Sequence, residues 1–334
     1  METTKISPQV LEAAQEGDLF SILMLLKDTD LEDLTATAAK ICTEKFGNTV
    51  KLLALLEISN RCRQNCLYCG NRRDNCSLKR SRVYEEQIID VVEATKKTGF
   101  KTVCLQSGED AYFGFRTLEK LVRRIKNRQM RLILSCGAFP LVGFRTLKAA
   151  GTDGYLMRIE TGNPDLYAKM HPGQKFRKRQ EAVINLKKTG FYLATGSLVG
   201  LPGQTYEDIA GDIAFFRQIK ADFIGIGPLI PHPDTPLASV QKPSLETALR
   251  TIAVCRIVCP DADIPATTAM EALTRNGLKK AFLAGANMVM RSVTLKSLQY
   301  EIFPGKSATG TAEGNWLQKL TEDLQKIGRI PEFW

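Results

Sequence analysis

From about residue 50 onward, short β-rich apolar runs alternate with helical stretches, and this alternation restricts the fold more than any other feature of the chain. The runs fall at 52–58, 102–105, 132–134, 155–157, 192–199, 223–226, 264–266 and 288–290. Eight such alternations over about 240 residues are the pattern of an α/β fold, a parallel (β/α)8 barrel of TIM type, whose chemistry sits at the C-terminal strand ends. An open doubly wound sheet is the alternative. The barrel is preferred because polar or glycine-rich residues follow nearly every run, among them Ser107-Gly108-Glu109-Asp110, Arg158 to Glu160, Gly200 to Gly203, His232-Pro233-Asp234 and Thr267-Thr268. The predicted organisation is an N-terminal helical extension over 1–49, the barrel over 50–299 and a C-terminal cap over 300–334. In the extension, Val10, Leu11, Phe20, Ile22, Leu23, Leu25 and Leu26 predict one or two amphipathic helices.

Composition narrows the function classes. Nine cysteines in 334 residues, with no secretory signal in the first thirty, argue for reduced thiols and metal ligation over a disulfide framework. No uncharged apolar stretch reaches the length of a membrane helix, so a cytoplasmic protein is expected. The net charge of +10 is spread along the chain, which does not favour a nucleic-acid partner.

Directly after the first predicted strand, Cys62, Cys66 and Cys69 place three thiols within eight residues as C-x3-C-x2-C. Three thiolates ligate three irons of a [4Fe–4S] cube and leave the fourth iron open to a substrate, whereas electron-transfer clusters normally use four cysteines. An open iron of this kind chelates the amino and carboxylate groups of S-adenosylmethionine (SAM), and one electron breaks the sulfonium bond to the 5′-carbon. A structural zinc site, with Cys76 as fourth ligand, is the competing reading, but zinc ligands normally come as two separated pairs. The remaining thiols, Cys42, Cys104, Cys136, Cys255 and Cys259, read as packing residues. His232 reads either as catalytic or as a rigid support, and His171 as structural.

The run EISNRCRQNCLYCGNRRDN at 57–75, together with LQSGED at 105–110, GSLVGLPGQT at 196–205, IGPLIPHPDTPLA at 226–238 and IPATTAM at 264–270, resembles the HydE family of radical SAM maturases of [FeFe]-hydrogenase. Biotin synthase and methylornithine synthase are more distant relatives. The resemblance implies that Ser107, Gly108 and Glu109 line the amino-acid end of SAM, that Glu160 meets the ribose hydroxyls and that Arg179 pairs with the SAM carboxylate. It further implies Tyr68, Leu198 and Ile230 as cofactor contacts, and Arg158, Thr267, Thr268 and Tyr300 as a substrate set suited to a small amino-acid-like or iron–cysteine molecule. The implied partners are that small molecule and a reductant protein such as ferredoxin or flavodoxin. A radical SAM enzyme making a small metabolite, as biotin synthase or methylornithine synthase does, is the alternative.

Three departures from the family stand out. Ile159 replaces the histidine of the usual RHET, Ala138 stands where many members have glutamate, and no accessory cysteines follow Lys306. Placing Ile159 and Ala138 beside the substrate predicts a less polar pocket that handles the hydrogenase precursor poorly.

Overall fold

The computed structural model describes residues 6–294 and 316–334. Among the described residues there are eight parallel strands: β1 Thr49–Ser59, β2 Thr102–Ser107, β3 Arg131–Ser135, β4 Gly154–Leu156, β5 Tyr192–Val199, β6 Phe223–Pro228, β7 Met288–Ser292 and β8 Ile330–Phe333. Seven of them pair in the order β6-β5-β4-β3-β2-β1-β7. The predicted run at 264–266 is not a full strand, but it closes the ring between β6 and β7 through bridges from Asp263 to Phe223 and from Pro265 to Met288. The Ile224 N–H donates to the Asp263 carbonyl at 2.8 Å and the Asn287 N–H to that of Ile264 at 2.9 Å. Pro265 has no N–H to give, which interrupts the ladder, and the Ala266 N–H then donates to the Met288 carbonyl at 2.8 Å. The molecule is thus a (β/α)8 barrel.

Period-two alternation sorts the strand residues. Leu52, Ala54, Leu56 and Ile58 of β1 join the large core between sheet and helices, whereas Leu53 and Leu55 join a smaller cluster inside the barrel with Cys104, Ile133, Ala194, Phe223 and Met288. The three N-terminal helices are α1 Pro8–Glu16, α2 Leu19–Lys27 and α3 Leu31–Phe46. The sequence reading of one or two helices misses the breaks, which are short: Gly17 closes α1 at φ +99°, and the Asp18 and Asp30 carboxylates cap α2 and α3. The outer layer follows as α4 Glu85–Lys97, α5 Phe115–Lys126, α6 Leu141–Ala149, α7 Pro164–Met170, α8 Phe176–Lys188, α9 Tyr206–Gln218, α10 Leu245–Val258, α11 Thr268–Leu273 and α12 Gly277–Leu283. In α5, Leu118, Leu121, Val122 and Ile125 form the buried stripe expected of such a helix.

After α13, Trp316–Gln325, the chain returns beneath the barrel. β8 pairs with the start of β1, from Thr49 opposite Ile330 to Leu52 opposite Phe333. The indole of Trp334 then lies against Tyr192 at 5.3 Å, under the Arg131 guanidinium at 4.6 Å and the Lys51 ammonium at 5.3 Å. Lys51, the Tyr192 hydroxyl and the Asn287 amide all donate to Asp263, at 2.7–2.9 Å. The sequence reading contains no strand at Ile330–Phe333, because four residues with a proline among them carry little β signal.

Candidate active site

The segment after β1 folds over the C-terminal strand ends and is held by its own arginines. Arg80 donates to the carbonyls of Asn60 and Asn71 at 2.8 Å and of Asn75 at 3.1 Å. Arg82 forms a bidentate pair with Asp110, which also accepts from the Ser59 hydroxyl at 2.6 Å. Backbone bonds join Gly108 N–H to the Ser59 carbonyl and Arg63 N–H to the Glu109 carbonyl, both at 3.1 Å. A Cβ on Gly108 would lie 2.3 Å from the Arg61 carbonyl oxygen, so only glycine allows the loop to seat on β2.

Within this loop the Cys62 sulfur accepts from the Glu109 N–H at 3.3 Å and the Gln64 N–H at 3.4 Å, and the Cys66 sulfur from the Gln174 amide at 3.4 Å. Burial pushes the Cys66 thiol up to about 11 and the Cys69 thiol up to about 12, and each of these thiols raises or is raised by its neighbours. Bound cations reverse that preference, and three soft, partly buried sulfurs fed by N–H donors suit an iron–sulfur cluster. Among the described residues no three His, Cys, Asp or Glu groups gather around a single ion position. Cys76 is exposed, while Cys42, Cys104, Cys136, Cys255 and Cys259 are buried.

Tyr68 is fixed by its hydroxyl, 2.8 Å from His171 Nε2, while His171 Nδ1 lies 2.9 Å from the Tyr167 carbonyl. That carbonyl assigns the proton to Nδ1 and makes Nε2 the acceptor. Burial brings His171 down to about 4, so the ring is neutral at ordinary pH. His232 packs on the cysteine loop, where a Cβ at Gly70 would come within 2.8 Å of Nε2.

Glu109 gathers the loop's polar groups. Its Oε2 accepts from the Gln64 amide at 2.6 Å and Arg63 Nε at 3.1 Å, and its Oε1 lies 3.7 Å from Arg179 Nη2. Arg179 also reaches the Tyr167 hydroxyl and Gln174, both at 3.3 Å. Ser107 donates to the Gly108 carbonyl at 2.7 Å. Glu160 stands across the barrel mouth at φ +65°, close enough to influence the ionisation of Cys66, Tyr68 and Cys69. Its Oε2 is 3.2 Å from Arg158 Nη2, yet that contact lacks hydrogen-bond geometry and the oxygen stays unsatisfied, as do Arg158 Nε and Thr267 Oγ1. Arg158 itself donates to the Ser197 carbonyl at 2.6 Å and packs over Gly227. Leu198 belongs to a small apolar cluster with Leu67, Tyr68, Leu201 and Leu229. Ile230 is buried, Thr268 is exposed, and Tyr300 and the segment after Lys306 lie outside the described residues.

One expectation changes. Ile159 does not border the mouth: strand alternation turns it to the opposite side from Arg158 and Glu160, fully buried in the outer core, and Ala138 packs against the same core. The glycine-rich stretch serves the protein itself, since Gly200 and Gly203 take positive φ in a turn and a Cβ on Gly196 would strike the Gly225 carbonyl at 2.0 Å. The sequence reading overlooked Gln64 and Gln174, which touch Glu109 and Cys66, and Glu57, an inward-facing carboxyl of β1. Gln64 sits between two of the cysteines, and Glu57 follows the apolar pair Leu53 and Leu55 on the inner row, so both carried a signal. At the opposite rim a cavity of about 490 Å³ is lined by Lys51, Lys187, Tyr192, Asp222 and Asp263. Its Lys51–Asp263 and Lys187–Asp222 pairs are closed at 2.8 Å.

The signature of the Radical SAM superfamily matches residues 56–216, and that of the Biotin and Thiamin Synthesis associated domain matches 226–328. The [FeFe] hydrogenase maturase subunit HydE of Thermotoga maritima is 39% identical over 302 residues, covering 90% of this chain and 87% of that one. The 3-methylornithine synthase of Methanosarcina acetivorans is 28% identical, covering 85% and 82%. The crystal structure of methylornithine synthase (PylB) superposes with a TM-score of 0.81 at 25% identity, covering 97% of both chains. Radical SAM enzymes use a [4Fe–4S] cluster and SAM, and the three cysteines sit at the barrel mouth where such a pair belongs. With the barrel, the thiol loop and these likenesses together, the chain is a radical SAM enzyme and belongs to the HydE family.

Proposed function

We propose that the chain cleaves SAM reductively to act on a small amino-acid-like or iron–cysteine substrate, in the maturation of a hydrogenase cofactor. The observation that carries this reading is the set of unsatisfied buried groups, Glu160 Oε2 and Arg158 Nε, around the mouth that the thiols line. Cys62, Cys66 and Cys69 would hold the [4Fe–4S] cluster. When bound, the cluster supplies the electron that breaks the SAM bond to the 5′-carbon. Glu109 and Arg179 form a loose opposite-charge pair at 3.7 Å and would hold the ammonium and the carboxylate of SAM respectively. Ser107 and Gly108 border that end. Glu160 accepts from the ribose hydroxyls, and Tyr68, Leu198 and Ile230 close apolar surface over the nucleoside and exclude water.

Arg158 with Thr267 and Thr268 is assigned to the substrate carboxylate, and Tyr300 is assigned with them on the family resemblance alone. With Ile159 in the outer core, nothing on the described inner wall argues for a changed specificity, and the HydE-type substrate is the preferred one. A ferredoxin or flavodoxin would deliver the electron, in a cytoplasmic setting. Among the described residues no helix is long and apolar enough to cross a membrane.

The test is anaerobic reconstitution with iron and sulfide, then SAM and dithionite, with and without an iron–cysteine complex. About four irons per chain and 5′-deoxyadenosine formation stimulated by the complex are expected. Eight irons, or no SAM cleavage, would overturn the reading. Stimulation by a biotin or methylornithine precursor instead would assign the chain to small-metabolite synthesis.

A further inference from the structure

The residue that meets the ribose in the reading above is held in a conformation its own chain does not favour. Glu160 has φ +65°, in the left-handed region that costs a non-glycine residue free energy unless its surroundings impose it. The imposing contacts are visible. On the strand side, the Ile159 and Glu160 N–H groups donate to the Gly196 carbonyl at 3.0 and 3.2 Å, and the Glu160 carbonyl accepts from Leu198 N–H at 2.9 Å. On the helix side, two carboxylates of α9, four residues apart and so on one face, grip the next turn. Asp208 accepts from the Asn163 side-chain amide at 2.7 Å, and Asp212 accepts from the Gly162 N–H.

Asp212 is unusual among these groups. It is 0% exposed, lies between α9 and the outward face of β5 beside the buried Ser197 hydroxyl, and leaves Oδ2 without a partner of hydrogen-bond geometry. A fully buried carboxyl is costly, and an apolar residue would pack there at lower cost. Gly162 is fitted to it as well, because a Cβ there would come within 3.0 Å of Asp212 Oδ1. We infer that Asp212 is a positioning residue for SAM binding: it anchors the turn after β4 from outside the barrel and thereby holds Glu160 in the left-handed conformation that aims its carboxylate at the mouth. This rests on Glu160 as a SAM ligand.

The test uses the reconstituted full-length enzyme and compares Asp212→Asn, which keeps an acceptor for the Gly162 N–H, with Asp212→Leu, which fills the same space with none. SAM dissociation constants are measured by calorimetry, with cluster absorbance recorded for each sample. Asp212→Leu is expected to weaken SAM about tenfold, the equivalent of one lost buried hydrogen bond, and Asp212→Asn to stay within about twofold of wild type. In a Glu160→Ala background, Asp212→Leu is expected to have no further effect, which a merely structural residue would not show. Equal affinity for the Leu variant and wild type, an Asn variant as weak as the Leu one, or an undiminished effect in the Glu160→Ala background would each overturn the inference. Should the Leu variant not accumulate, hydrogen exchange decides: slow exchange at Gly162 in both wild type and the Asn variant supports the anchor, and fast exchange in either refutes it. A wild-type enzyme that does not bind SAM would refute the proposed function instead.

Discussion

Replacing Gly108 with alanine tests how closely the cysteine loop must seat on the barrel. The new Cβ would lie 2.3 Å from the Arg61 carbonyl oxygen and 2.7 Å from Cys62 Cβ. Neither atom is the end of a flexible side chain, so the strain cannot be relieved by a rotamer change. Ordinary contact requires the Arg61–Cys62 backbone to retreat by roughly 1 Å, and overpacking of this kind costs about 1–3 kcal/mol. The Gly108–Ser59 and Arg63–Glu109 backbone bonds, each 3.1 Å, oppose the movement. A shift of roughly 1 Å between reacting groups lowers rates about 100-fold, and that is the expected loss in 5′-deoxyadenosine formation per cluster, under dithionite, with iron counted for each sample. Gly211→Ala, in α9 with nothing within 4 Å of the added methyl, serves as control and is expected to keep full activity. A Gly108→Ala enzyme with the wild-type rate per cluster would refute the claim that the loop has no slack.

Arg179→Lys keeps the charge but loses the planar fork, so the SAM dissociation constant is expected to rise by an amount equivalent to about 1–3 kcal/mol while the cluster spectrum is unchanged; calorimetry with and without SAM checks both. Glu57 is 3% exposed and burial raises its carboxyl to about 7 from 4.5. The folded state therefore holds the proton that the unfolded chain releases, so its contribution to stability is full below pH 4.5, declines as pH rises to about 7 and is gone above it. Glu57→Gln is expected to flatten the pH dependence of the unfolding free energy over that window and to raise that free energy at pH 8 by about 3 kcal/mol, read from urea unfolding; an unchanged pH slope would contradict this. Trp334→Ala loses two cation–π contacts and the aromatic pair with Tyr192, about 2–4 kcal/mol in total, read as a lower melting temperature.

The barrel was legible because each strand run is short, apolar and followed by polar residues, and the thiol loop because its spacing has few other uses. Other features left little trace in the sequence. Ile159 looks like a change at the mouth when aligned beside Arg158 and Glu160, but adjacent strand residues face opposite ways, and a motif read as a string loses that distinction. The closing segment at 263–266 is real but abbreviated, since Pro265 interrupts its ladder. Asp212 went unnoticed because a helical Asp ordinarily faces water, and only the packing of α9 on β5 shows that this one is enclosed.

The tryptophan seated under Arg131 and beside Tyr192 has a kinetic meaning as well as a structural one. Among the described residues, that indole and the apolar layer of Leu53, Cys104, Ile133 and Phe223 above it fill the end of the barrel opposite the cysteines. On the proposed reading, SAM and its co-substrate would enter from the side of the cysteines. Whatever binds deepest would then enter first and leave last, and the filled floor would keep a reactive fragment from the water beneath it.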